Sequence, residues 1–363
     1  MGCGSSVKGK VDIKSKHFPE FRKGLPSMSG KVVAITGCTS GTGLICAKVC
    51  AELQARVVMV NRPSARADAA LDKVRAVAAA SGAPEPLLVH CDLMSFKSVR
   101  EAGLKLQSEL AGSGLDVLCN NAGIMGFGDI ATEDGCDIQM QTNHLSHFLL
   151  TGLCMQLLQQ AADARGEARV VNHSSAARKM NEPEMSNALD AKYLGKNGGN
   201  LGGTSHKMFK GANFQRYQQT KLANVIFTYA LHDKLQASGS KIKVLVAHPG
   251  VAPTDLAVGT IHAGGMNDLK GMPTCIVNQI FKSTMHSEED ATMGILRCCC
   301  DPKANSGEFY GPVGKKEHLT NKHDSSEYKG KAELKKEEAL ADKAARDALW
   351  AASEASTGEQ FTL

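Results

Sequence analysis

Val32-Val33-Ala34-Ile35-Thr36-Gly37-Cys38-Thr39-Ser40-Gly41-Thr42-Gly43 is the stretch that decides the fold. Four consecutive apolar residues read as a buried strand, the glycines as a turn, and the spacing of Leu44, Ala47, Val49, Cys50 and Leu53 as a helix. Strand, glycine turn and helix together are the setting that a dinucleotide phosphate requires. Gly37 allows the tight turn, Gly41 lets backbone approach a pyrophosphate, and Gly43 allows close helix packing, with Thr39, Ser40 and Thr42 in the same turn. The helix N-terminus then faces the phosphate charge. The spacing is G-x-x-x-G-x-G rather than G-x-G-x-x-G.

Outward from this turn, apolar strands alternate with helical stretches. Val57–Val60, Leu87–His90, Leu115–Cys119, Arg169–His173 and Ile242–Val246 read as strands, and Ala65–Ser81 as an alanine-rich helix. The alternation predicts the α/β class, a doubly wound parallel sheet of the Rossmann type, in which ligands bind beyond the carboxyl ends of the strands. Those ends carry Arg62, Asp92 with Leu93, Asn121-Ala122-Gly123, Ser174-Ser175 and Pro249-Gly250-Val251, with Thr254 following. Asp92 is placed to reach an adenine amine, and the small Ala122-Gly123 turn leaves room for a cofactor. An NAD site usually has an acid after the second strand. Here Asn61-Arg62 stands instead, and a forked cation suits a 2′-phosphate, so NADP(H) is favoured over NAD(H). The bland alternative for Arg62 is an exposed loop arginine.

Tyr217-Gln218-Gln219-Thr220-Lys221 places a phenol and an ammonium four residues apart, on one helix face. A cation beside tyrosine favours the phenolate and makes the hydroxyl a usable acid or base near working pH. Most such pairs are merely solvated helix faces; the order of the surrounding motifs singles this one out. His144 and His147 lie three apart with no third ligand spaced to match, which favours core packing over a metal.

The 363 residues, 42% hydrophobic and 22% charged, describe an ordinary globular chain. No apolar run approaches the length of a membrane-spanning helix. The 12 cysteines fit no zinc spacing; the run Cys298-Cys299-Cys300 reads as packing, because adjacent cysteines cannot easily all face one ion, so no metal is expected. Most of the net charge of +5 lies in residues 1–24, so a basic face for nucleic acid is not expected. That arm begins Met1-Gly2-Cys3-Gly4-Ser5-Ser6, which fits N-myristoylation at Gly2, with Cys3 open to palmitoylation and lysines beyond to meet anionic lipid. The expectation is peripheral contact with the cytoplasmic face of a membrane; an unmodified, disordered start is the alternative, which leaves the protein cytoplasmic. The organisation reads as an arm over 1–28, one Rossmann domain over 29–315 and a helical extension over 316–363. Met266, Leu269, Met272, Ile276, Ile280 and Phe281 form either an apolar lid or plain core.

Taken in order, Thr36-Gly37 with Gly41-Thr42-Gly43, Asn120-Asn121-Ala122-Gly123, Asn143, Ser175, Tyr217 with Lys221, and Pro249-Gly250 resemble the short-chain dehydrogenase/reductase family over about residues 29 to 315. Thr142-Asn143-His144-Leu145-Ser146-His147-Phe148-Leu149-Leu150 and Lys221-Leu222-Ala223-Asn224 are similar to its retinol-dehydrogenase-like branch, and in part to light-dependent protochlorophyllide reductase. The resemblance implies a strand order of 3-2-1-4-5-6-7 and hydride transfer between a nicotinamide and a carbonyl or alcohol. It implies Tyr217 as acid/base, Lys221 as the group that lowers the Tyr217 pKa and holds the nicotinamide ribose, Ser175 as donor to the substrate oxygen, and Asn143 as holder of a relay water. Thr254 would meet the carboxamide, and a homodimer would form through the Tyr217 helix unless added segments block it. The segment over residues 178 to 215 is longer than in a minimal member, which leaves the substrate class open; Ser146 stands where the branch more often has glycine. The leading expectation is a carbonyl/alcohol oxidoreductase for a retinoid, steroid or long-chain aldehyde. A light-dependent reductase and a membrane-tethered NADP-binding scaffold or sensor are the alternatives.

Overall fold

The computed structural model describes residues 13–179, 188–205, 211–252, 285–313, 329–335 and 342–363. Gly2, Cys3, Thr254, the stretch from Met266 to Phe281 and parts of the insertion lie outside them.

Eight strands make one sheet in the order β3-β2-β1-β4-β5-β6-β7-β8. They are β1 (Val32–Thr36), β2 (Arg56–Asn61), β3 (Leu87–His90), β4 (Val117–Asn120), β5 (Ala168–His173), β6 (Ile242–Ala247), β7 (Phe309–Val313) and β8 (Lys331–Lys335). The first seven are parallel, with Val33 opposite both Val57 and Val117, so β1 lies where the winding reverses. Strands such as Val32-Val33-Ala34-Ile35 are apolar without alternation because both faces are covered. On one face lie α4 (Phe96–Leu110), α6 (Ser146–Arg165) and α7 (Ala212–Ala237). On the other lie α2 (Gly41–Glu52), α3 (Ala65–Ser81) and α8 (Glu288–Cys300). A short helix α1 (Phe18–Lys23) precedes β1, and a helical turn α5 (Ile138–Met140) precedes a π-turn over Gln141–Leu145 that leads into α6.

Two features correct the sequence reading. Residues expected to open the C-terminal helix instead form β8, antiparallel to β7, and the helix α9 starts later (Lys343–Thr357). The reason is non-local: β7 would otherwise leave an edge of unpaired backbone groups, and a charged strand that covers it also discourages edge-to-edge association. The second concerns cysteine. Cys299 does not group with its neighbours in the run but with Cys46 of α2 and Cys119 of β4, whose sulphurs all lie within 4.8 Å of one another. The argument from adjacency therefore missed a trio that three separate elements bring together. All three are buried free thiols, as are the seven other described cysteines.

Candidate active site

The glycine turn is built by close approach. Gly37 and Gly41 take φ of 72° and 55°, a region that disfavours side chains. A Cβ on Gly37 would lie 2.8 Å from Ala122 Cα, and one on Gly43 only 2.2 Å from the Gly37 carbonyl oxygen and 2.5 Å from Asn121 Nδ2. Gly43 thus serves the turn itself rather than packing of helix on strand. Asn121 is the staple: Nδ2 donates to Thr36 O (2.9 Å) and Gly37 O (3.2 Å), while Oδ1 accepts from Thr42 Oγ1 (3.0 Å). His173 Nδ1 reaches the same Oδ1 at 3.0 Å, so its proton sits on Nδ1. With its amide so engaged, Asn121 shapes the cradle from within. Ser40 at the N-cap makes no side-chain cap bond, and the first turn of α2 holds no acid, so its free N–H groups suit a phosphate. Arg62 is exposed at the end of β2, and Arg66 Nη2 donates to Ser40 Oγ at 3.2 Å. These residues fit the phosphate end of a dinucleotide.

At the carboxyl ends of β4, β5 and β6 the other candidates converge. Tyr217 is buried, with the Ser175 side chain near enough to favour its ionised form. Lys221 Nζ donates to His173 O (3.1 Å) and lies 5.8 Å from the Tyr217 ring centroid. Asn143 sits in the π-turn, a deformation that often marks functional sites. Its Oδ1 accepts from Ile124 N (2.8 Å), and its Nδ2 donates to Ile124 O and Thr220 Oγ1 (both 2.9 Å). Gly123 leaves the gap between them: a Cβ there would lie 3.2 Å from Lys221 Nζ and 3.3 Å from Asn143 Oδ1. Phe214, Tyr217 and Ala177, with Met125, form a small apolar wall beside the phenol.

Burial governs the charges here. It pushes Tyr217 up to about 12 against the opposing pull of Ser175, and it lowers Lys221 to about 8. The expected depression of the phenol by Lys221 is therefore outweighed: the ammonium is itself desolvated and directed at a backbone carbonyl. His147 is ligated by the fold, not by a metal. Its Nδ1 donates to Asn143 O (3.0 Å), Nε2 accepts from Thr36 Oγ1 (2.9 Å), and burial lowers its pKa to about 4.

Asp92 accepts from Met94 N (3.0 Å) in a local turn, and Leu93 O accepts from Ser146 Oγ (2.7 Å), which gives that serine a role glycine could not fill. Gly250 takes φ of 72°; Pro249 O accepts from His286 Nε2 (2.6 Å) and Val251 O from His286 N (3.1 Å). The described part of the insertion folds against α7 at residues that flank Tyr217. Gln219 Oε1 accepts from Asp190 N (2.9 Å), and Arg216, paired with buried Asp137 (3.3 Å), donates to Gly203 O (2.9 Å). Sequence reading missed Asn61, whose Oδ1 accepts from Cys38 N (2.7 Å), and Arg178, which donates to Ser175 O (2.9 Å) and stacks on Phe309 (4.5 Å). Asn61 acts on a partner 23 residues away and Arg178 stacks on a ring from a different strand, and no local motif marks either contact.

A glycine cradle at the switch point, with a buried tyrosine and lysine and a half-buried serine at the same edge, defines a nucleotide-dependent oxidoreductase of Rossmann type. The family model described as short chain dehydrogenase matches residues 31–188. Retinol dehydrogenase 14 of Mus musculus is 32% identical over 306 residues, which cover 82% of this chain and 83% of that protein. The chain belongs to the short-chain dehydrogenase family. Polyprenol dehydrogenase of Homo sapiens is 30% identical over 231 residues, covering 64% of this chain and 63% of that one. Among solved structures, an uncharacterised protein from Mycobacterium paratuberculosis is 27% identical with a TM-score of 0.65, covering 94% of this chain and 98% of that one.

Proposed function

We propose that this oxidoreductase interconverts a carbonyl and an alcohol on a lipophilic molecule of the retinoid, steroid or long-chain aldehyde class, with NADP(H). The observation that carries the reading is buried Tyr217 beside half-buried Ser175 and buried Lys221, at the edge that holds the glycine cradle. The apolar wall around Tyr217 and the names of the two relatives support the substrate class. Arg62 and Arg66, with no acid at the end of β2, support NADP(H).

When bound, the cofactor supplies the hydride. Ser175 Oγ donates to the substrate oxygen and orients it, Tyr217 Oη gives that oxygen a proton, and Lys221 offsets the charge left on the phenol. A phenol pushed up to about 12 is protonated at neutral pH and able to act as the acid when a carbonyl is reduced. Asn143, hydrogen-bonded to Thr220 Oγ1 (2.9 Å) next to Lys221 in the chain, is placed to hold a relay water beside Lys221. We further propose acylation at Gly2 and Cys3, which tethers the chain to a membrane. α9 already covers part of α7, so a homodimer through that face would have to displace it.

The test is NADPH and NADH oxidation against retinal, steroid ketones and long- and short-chain aldehydes, in dark and light. We expect dark turnover with a long-chain carbonyl that Tyr217→Phe reduces by about a hundredfold or more. Arg62→Ala should raise the KM for NADPH by about tenfold while leaving that for NADH unchanged. Turnover intact in Tyr217→Phe overturns the mechanism; turnover in light alone replaces it with a photoreductase; tight NADPH binding without turnover favours a scaffold.

A further inference from the structure

His144 follows Asn143 in the π-turn and is wholly buried, but it faces the opposite way, toward the C-terminal helix. Its Nε2 lies 2.9 Å from Ser353 Oγ of α9. The Ser353 proton is already directed to Leu349 O (2.8 Å), so Oγ accepts and His144 carries its proton on Nε2. Burial lowers the His144 pKa to about 3, with the Asn224 side chain pulling the other way. Asn224 Nδ2 in turn donates to His173 O (3.1 Å), the carbonyl that Lys221 Nζ uses.

The π-turn is thus held on two sides. Asn143 is pinned inward to Ile124 and Thr220, His144 outward to Ser353. A π-turn is less favourable than regular helix and persists only where side chains hold it. Were the outer anchor lost, relaxation toward regular helix would rotate Asn143 away from Lys221.

α9 is well fastened for this task. Trp350 packs on Phe148 (5.1 Å) and Phe361 (4.8 Å), Arg100 pairs with Glu359 (3.0 Å) and donates to Thr357 O (2.7 Å), and Arg346 pairs with Asp233. We propose that Ser353 is a positioning residue: through the His144 ring it fixes the π-turn that presents Asn143, so that the C-terminal helix completes the active site from behind. This rests on the oxidoreductase reading of the site.

The experiment compares Ser353→Ala and Ser353→Thr with Ser356→Ala in the full chain. Ser356 is buried on the same helix, but its hydroxyl bonds only Ala352 O (2.7 Å). Turnover is measured with the aldehyde that the wild type reduces best, and the His144 tautomer by ¹⁵N ring shifts without substrate. An unpaired buried donor should lower kcat about tenfold in Ser353→Ala. KM should stay within about twofold and the Nε2–H tautomer should be lost. Ser353→Thr should restore both, and Ser356→Ala should resemble the wild type. A kcat in Ser353→Ala equal to that of Ser356→Ala, or an Nδ1–H ring in the wild type, overturns the proposal. A wild type without turnover sinks the oxidoreductase reading by itself, while the ring tautomer still decides whether Ser353 holds His144.

Discussion

His144, His147 and His173 are buried bases held neutral, at about 3, 4 and 3, against 6.5 in an unfolded chain. As pH falls below 6.5 the unfolded state takes up three protons that the folded state refuses, so stability is lost toward pH 4. Each group contributes a slope of about 1.4 kcal/mol per pH unit, and the three together up to about 4. Urea unfolding followed from about pH 7.5 to about pH 5 should show this decline, and His173→Gln should remove about a third of it. Equal stability across that interval would show the rings to be charged or exposed. That Tyr217 and Lys221 share one helix and that Ser175 lies just beyond a strand end was legible in the sequence. Their electrostatics were not. The rise of Tyr217 depends on how completely Phe214, Ala177 and Met125 cover it, and no spacing reports that.

At the scale of elements, α8 shows what periodicity misses. Three consecutive residues span over half of a helix circumference, so Cys298, Cys299 and Cys300 are all buried only because α8 is enclosed by the sheet, α2 and β8. Burial pushes the Cys119 and Cys298 thiols up; hydrogen bonds from Cys119 and Cys46 pull Cys299 down, but its sulphur is enclosed with theirs and out of reach of solvent. Ten of the 12 cysteines are therefore expected to resist a thiol reagent in the native protein, leaving at most Cys3 and Cys275 to react. The rest should label only at the rate of unfolding, counted by mass spectrometry across a urea series. Rapid native labelling of Cys46, Cys119 or Cys299 would show that the core opens locally. Helix α3 was legible to the residue, since Ser64 caps it and Gly82 ends it in the left-handed region. Strand β8 was not, because Lys331-Ala332-Glu333-Leu334-Lys335 has helical propensity and becomes a strand only where the edge of β7 offers it partners.

Across the whole molecule, the N-terminal arm and the candidate site share one edge of the sheet. The Asp290 carboxylate, in the first turn of α8, accepts from Ser15 Oγ (2.7 Å) and from the backbone N–H groups of Lys16 (2.9 Å), His17 (3.0 Å) and Phe18 (2.8 Å). His286, just before α8, bonds Pro249 and Val251 at the carboxyl end of β6. The chain therefore enters the fold beside the site, and Lys14 and Lys16 are exposed there. The sequence disclosed the basic arm, but not its attachment to a carboxylate 275 residues away. A tether at Gly2 has a reach of at most about 45 Å from that anchor, so an acylated chain would keep its site within that distance of a lipid surface. Protein co-expressed with a myristoyltransferase should sediment with vesicles containing phosphatidylserine, and Gly2→Ala should stay in solution. The same change should slow reduction of a long-chain aldehyde dissolved in those vesicles while leaving a soluble short-chain aldehyde unaffected. Equal sedimentation of the two proteins would remove the tether. Equal loss with both aldehydes would mean that Gly2 acts on folding, not on access to lipid.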